Sequence, residues 1–137
     1  MAVALDTGVA LSAADRDEPR HRECVELLLA HRGQLVMAAP AVAETAWMIE
    51  SRLGPSAEAR FLRLVTDGQL EAVELNLDDY RRCVELIETY ADMGLGLVDA
   101  SVVAVAERLD INTVGTLNRR DFVVVRPRHV EAFTLIP

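Results

Sequence analysis

Val3-Ala4-Leu5-Asp6-Thr7-Gly8 decides the fold class: three apolar residues suited to a short buried strand run straight into a carboxylate, a hydroxyl and a glycine. A buried strand without alternation is the mark of a parallel sheet covered on both faces. The same sequence of signals recurs downstream. Leu35-Val36-Met37-Ala38 is a second apolar run, followed by Pro40 and a helical pattern, Val42, Ala43, Ala46, Trp47, Ile49 and Leu53, that stops at Gly54-Pro55. Strand and helix signals then continue to alternate. The spacing predicts helices near Pro19–His31 and over 56–66, a strand over 70–75, and a helix that Asp78 or Asp79 caps and whose stripe is Tyr80, Cys83, Val84, Ile87 and Tyr90. Asp99 is expected to cap a helix that is apolar on nearly every side through Val102–Ala106, which places that helix in the middle of the molecule. Ile111–Gly115 reads as a strand, 116–120 as a loop and Val123–Val125 as another strand. The expectation is one three-layer α/β/α domain over residues 1–137, with a parallel sheet of about five strands whose order the pattern does not reveal.

Composition narrows the chemistry. The 137 residues are 51% hydrophobic and 26% charged, a balance suited to one well-packed core. No apolar run reaches the roughly 18 residues of a membrane span, and Met1–Asp6 lacks the basic start of a signal peptide, so cytoplasm is the expected location. Cys24 and Cys83 sit in apolar helical patterns and read as reduced core thiols. The formal charge is −8, so anything anionic must be held by local arginine or by a metal ion. Every basic side chain is arginine, which excludes P-loop, Schiff-base and receiver-domain chemistry that depends on lysine. Gly-x-Ser-x-Gly is absent, and His21, His31 and His129 lack zinc-ligand spacing.

Three carboxylates remain, each where a strand gives way to a helix: Asp6, Glu44 and Asp99. In parallel α/β folds that edge binds ligands. Each has a plain structural reading as well. Asp99 suits a helix N-cap, worth about 1 kcal/mol, and Glu44 suits a first-turn carboxylate favoured by the helix dipole. Asp6 is harder to read as a cap on so short a segment. Brought together, such groups repel unless one is protonated or a hard divalent cation joins them. Mg²⁺ or Mn²⁺ fits an all-oxygen set, and phosphodiester hydrolysis is the chemistry such a site serves.

The segments Leu5-Asp6-Thr7-Gly8, Pro40-Ala41-Val42-Ala43-Glu44, Gly96-Leu97-Val98-Asp99-Ala100-Ser101 and Thr116-Leu117-Asn118-Arg119-Arg120-Asp121-Phe122 together resemble, in order and spacing, PIN-domain ribonucleases of the VapC toxin type. The resemblance implies a five-stranded parallel sheet, a homodimer, Mg²⁺ or Mn²⁺ dependence, endonucleolytic cleavage of RNA such as tRNA or rRNA, and a VapB-type antitoxin as partner. It also implies that Asp6, Glu44 and Asp99 hold the metal and that Thr7 is the hydroxyl residue after the first acid. Asn118 stands where the family commonly has a fourth acid. It can still offer a carbonyl oxygen to the metal or to its water, which makes it a candidate fourth metal residue, but it brings no charge, and Asp121 is the nearest replacement, expected to support the site through water. Thr7, Thr116, Arg119 and Arg120 are candidate substrate or antitoxin contacts, with Arg126 and Arg128 extending a cationic rim. Trp47, Phe61, Phe122 and Phe133 read as core or interface residues. A catalytically weak RNA- or antitoxin-binding module is the alternative, favoured by Asn118, and a Mg²⁺-dependent small-molecule phosphatase ranks last.

Overall fold

The computed structural model describes residues 1–137. Its elements are β1 (Val3–Leu5), α1 (Thr7–Ala14), α2 (His21–Ala30), β2 (Leu35–Ala38), α3 (Ala39–Leu53), α4 (Pro55–Thr66), β3 (Leu70–Val73), α5 (Leu77–Thr89), a 3₁₀ turn (Ala91–Met93), α6 (Leu97–Arg108), β4 (Thr113–Gly115), α7 (Arg119–Val124) and β5 (Thr134–Ile136). The five strands form one sheet in the order β3-β2-β1-β4-β5, and every pairing is parallel. Helices cover it on both faces as the apolar strands require, giving the α/β/α sandwich that the pattern anticipates.

The strand order fixes where a ligand belongs. From β1 the chain steps outward to β2 and β3, then returns to lay β4 on the other side of β1. The order therefore reverses between β1 and β4, and the crevice at their carboxyl ends is the switch point of the sheet. Gly115 ends β4 against β1, where an added Cβ would sit 2.9 Å from a Leu5 side-chain carbon. Only a glycine lets the two strands and the Leu5 side chain pack this closely.

The core behaves as its sequence pattern requires. In α6 every residue from Ala100 to Ala106 is buried, so this helix lies in the middle of the protein. Cys24 and Cys83 are free and buried. Phe61, Phe122 and Phe133 are also buried, but Trp47 is 67% exposed and is not a core residue.

Four local expectations are corrected. Residues 123–125 belong with α7 and its C-terminal cap rather than a strand. Phe122 and Val125 are buried while Val123 and Val124 face solvent, a spacing of three that is helical and overrides the β-branched composition. The fifth strand is instead Thr134–Ile136, which pairs with β4. Asn76, not Asp78 or Asp79, caps α5, with Asp79 three residues on closing a capping box. Asp99 does not cap α6, because Gly96 holds that position, and Asp6 does cap α1.

Candidate active site

At the switch point Asp6 is buried and held by both oxygens. Its Oδ1 accepts from the Thr7 N–H at 2.8 Å, and its Oδ2 accepts from the Thr116 hydroxyl at 2.9 Å. Thr116 follows β4, so the second bond crosses the crevice between β1 and β4. The Thr116 Oγ1 in turn accepts from the Asn118 N–H at 2.9 Å, which turns the chain into α7. Asn118 Nδ2 then donates to Asp121 Oδ2 at 2.9 Å. A continuous hydrogen-bonded path thus runs from Asp6 to Asp121.

Glu44 and Asp99 complete the cluster from two other helices. α3 springs directly from β2 at Ala39, which puts Glu44 beyond its first turn, and the dipole explanation for that carboxylate falls away. Asp99 lies in the first turn of α6. Burial chiefly, then the charges of Asp6, Asp121 and Glu44, push the Asp99 carboxyl up to about 7. Burial likewise raises Asp6, opposed by the Thr116 and Thr7 hydrogen bonds and assisted by the charges of Glu44 and Asp121. Asp6 and Asp99 therefore each lie within Coulombic reach of Glu44, Asp121 and one another, while no three of the acids close into a ready cation cage.

The sign of the linkage follows from the direction of the Asp99 shift. Its folded-state carboxyl holds a proton to about pH 7, whereas an unfolded aspartate releases it near ~3.9. The folded chain binds more protons across that window, so this group costs stability as pH rises through it. A bound cation relieves the cost by favouring the ionised form.

Donor chemistry fits a hard divalent ion: the available ligand atoms are carboxylate oxygens, with one buried hydroxyl, Thr7 Oγ1, that has no hydrogen-bond partner in the chain. Thr7 and Thr116 are 5% and 0% exposed. Thr116 positions Asp6. Sequence reasoning had its position but not its role, which only the β1–β4 adjacency discloses.

The cationic rim is smaller than expected. Arg119 turns away to donate to the backbone carbonyls of Leu135 and Pro137, at 3.3 and 2.8 Å. Arg128 pairs with Glu85, and its N–H donates to Glu107 at 2.7 Å. Glu107 lies eight residues beyond Asp99 on α6, about 12 Å of helix rise. Arg126 bonds the Val123 carbonyl at 2.6 Å. Arg120 is left as the exposed cation on α7. His21 and His129 are engaged by the Ser12 and Ile111 carbonyls, in keeping with packing roles. A cleft of about 720 Å³ opens among α1, α2 and α4 and is lined mostly by apolar side chains such as Val25, Leu28, Phe61 and Leu64. It contains no carboxylate, so the chemistry belongs to the acidic crevice.

Comparison with known proteins identifies the family. The PIN domain family model matches residues 3–126. Ribonuclease VapC26 of Mycobacterium tuberculosis is 31% identical over 133 residues, spanning 97% of this chain and 98% of that protein. Among solved structures, M. tuberculosis VapC20, a sarcin-ricin loop cleaving toxin, superposes with a TM-score of 0.77 at 16% identity, covering 82% of this chain and 87% of that one. VapBC2 of Rickettsia felis, bound to a DNA fragment from its promoter, gives 0.67 at 17% identity over 98% of this chain and 97% of that one. At such identities the structural matches speak for the fold, while the family match and the curated relative speak for kinship. The chain belongs to the PIN-domain family, and within it to the VapC-type ribonucleases.

Proposed function

We propose that this protein is the toxin of a VapBC-type pair and hydrolyses phosphodiester bonds in RNA, tRNA or rRNA being the target class, with Mg²⁺ or Mn²⁺ held by Asp6, Glu44 and Asp99. The observation that carries the reading is the carboxylate cluster at the β1–β4 crevice, where Thr116 holds Asp6 across the gap at 2.9 Å and Asp99 feels the charges of Asp6, Asp121 and Glu44. A perturbed carboxyl at the switch point of a parallel sheet marks a functional site.

A divalent ion, when bound there, supplies polarisation of a phosphoryl oxygen and a more acidic water. The chain does the rest. Thr116 and the Thr7 N–H fix the two Asp6 oxygens, so this carboxylate offers a preset direction rather than a free rotor. Asp99, in its ionised form, would add a carboxylate oxygen to that set. Asp121 adds negative charge from α7 and supports the site through water, and exposed Arg120 offers a fork for phosphate.

A VapB-type antitoxin is the proposed partner. An acidic crevice on a chain of net charge −8 complements a basic segment, so an arginine-bearing tail would compete with the cation. A homodimer formed through helices beyond Glu44 accords with the exposed Trp47 on α3, and cytoplasm is the proposed location. The alternative, a PIN-like module that binds RNA or antitoxin without efficient turnover, is favoured by Asn118 standing in place of an acid.

Purified protein incubated with cellular RNA separates these readings. The nuclease requires discrete new 5′ ends in Mg²⁺ or Mn²⁺ and none in EDTA. RNA that is bound but left intact would establish the binding module instead.

A further inference from the structure

Two Asn-x-x-Asp tetrads occur in this chain, and the fold uses them in opposite ways. At the start of α5, Asn76 Oδ1 accepts from the Asp79 N–H at 2.8 Å while Asp79 Oδ2 accepts from the Asn76 N–H at 3.0 Å, a reciprocal capping box. At the start of α7, Asn118 again occupies the N-cap position and Asp121 again lies three residues on, yet the Asn118 side chain caps nothing. Its amide is turned onto the Asp121 carboxylate, with Nδ2 donating to Oδ2 at 2.9 Å. Forgoing a cap sacrifices helix stability, and what is gained is a carboxylate held in one orientation.

That carboxylate belongs to the cluster. The charge of Asp121 acts on both Asp6 and Asp99. Through its backbone N–H, Asn118 also holds Thr116, which holds Asp6. One residue therefore ties the α7 acid to the β1 acid. The buried Thr7 hydroxyl, next in the chain to Asp6, has no hydrogen-bond partner.

We propose that Asn118 is a positioning residue, not a metal ligand: its amide fixes the Asp121 carboxylate beside Asp6 and Asp99, and Asp121 supplies the fourth negative group. This rests on the metal-site reading above. It also explains how the chain dispenses with an acid at position 118. An aspartate there would lose the N–H donor and set a second charge against Asp121.

A double-mutant cycle on Mn²⁺ affinity tests it, using calorimetry on the full chain together with the EPR spectrum of the bound ion. Asn118→Ala and Asp121→Ala are each expected to weaken binding by roughly tenfold, in the range found for residues that orient metal ligands. The double variant should bind no more weakly than Asp121→Ala, and its bound-ion spectrum should match that of Asp121→Ala. Asn118→Asp, which keeps an oxygen and adds charge but lacks the donor, should also bind more weakly than wild type. Losses that multiply in the double variant, wild-type binding by Asn118→Ala, or tighter binding by Asn118→Asp would each overturn the positioning role. A wild type that takes up no Mn²⁺, or Asp6→Asn that binds it undiminished, would overturn the metal-site reading and this inference with it. That failure shows in proteins whose Asn118 is intact, so the two are told apart.

Discussion

Asp99→Ala and Asp6→Ala are each expected to reduce RNA cleavage by about 10³-fold, the upper end of the loss when one group that stabilises developing charge is removed from an active site. The cause is electrostatic. Asp99 is a half-buried carboxyl raised to about 7 by burial and three neighbouring acids, an arrangement that costs stability unless a cation is present. Asp6 is buried with both oxygens engaged, and no apolar replacement can offer oxygens at that point. The two variants should differ in stability. Asp99→Ala removes an uncomfortable charge and should leave the metal-free melting temperature unchanged or higher at pH 8. Asp6→Ala also deletes the α1 cap and the partner of Thr116, and should melt lower. Single-turnover cleavage paired with thermal melting measures both effects. Activity within tenfold of wild type in either folded variant would place the chemistry elsewhere.

Phe122→Ala is expected to cost about 3–5 kcal/mol, the usual range for emptying a buried phenylalanine site. Phe122 is 1% exposed and meets the Phe133 ring edge-on, with centroids 6.4 Å apart and planes at 65°. Within α7 it is the buried side chain, while its helix neighbours Val123 and Val124 are 56% and 50% exposed. Val124→Ala on the same helix should stay within about 0.5 kcal/mol of wild type, as exposed positions do. Because α7 carries Asp121, its loosening should also lower cleavage more than the loss of stability alone explains. Urea unfolding of the two variants gives the comparison. Equal losses would mean that Phe122 does not hold the helix.

Much of this was legible in the chain itself. The unalternating runs at Val3–Leu5 and Leu35–Ala38 announce parallel strands, and the seven buried residues from Ala100 to Ala106 announce a central helix, since both signals come from how completely an element is covered. Strand order was not legible. It depends on which crossover packs where, and without it the β1–β4 crevice and the bond from Thr116 to Asp6 stay hidden. Val123-Val124-Val125 carries strand propensity, while the spacing of Phe122 and Val125 against the core decides for a helical turn. In sequence alone Asn118 is an acid position without its charge. Its role at Asp121 is visible only beside the capping box that the same tetrad forms at Asn76. The arginine rim shrank because charge counted along a chain does not show which guanidiniums already have partners.

The central claim is that Asp6, Glu44 and Asp99 share one divalent cation. Crystals of the protein soaked in Mn²⁺, with anomalous diffraction recorded near the manganese edge, test it most directly. A peak at the switch point, bonded by carboxylate oxygens of all three residues, is the predicted result. Manganese bound only at other carboxylates, or no peak in the crevice at saturating Mn²⁺, would contradict the account.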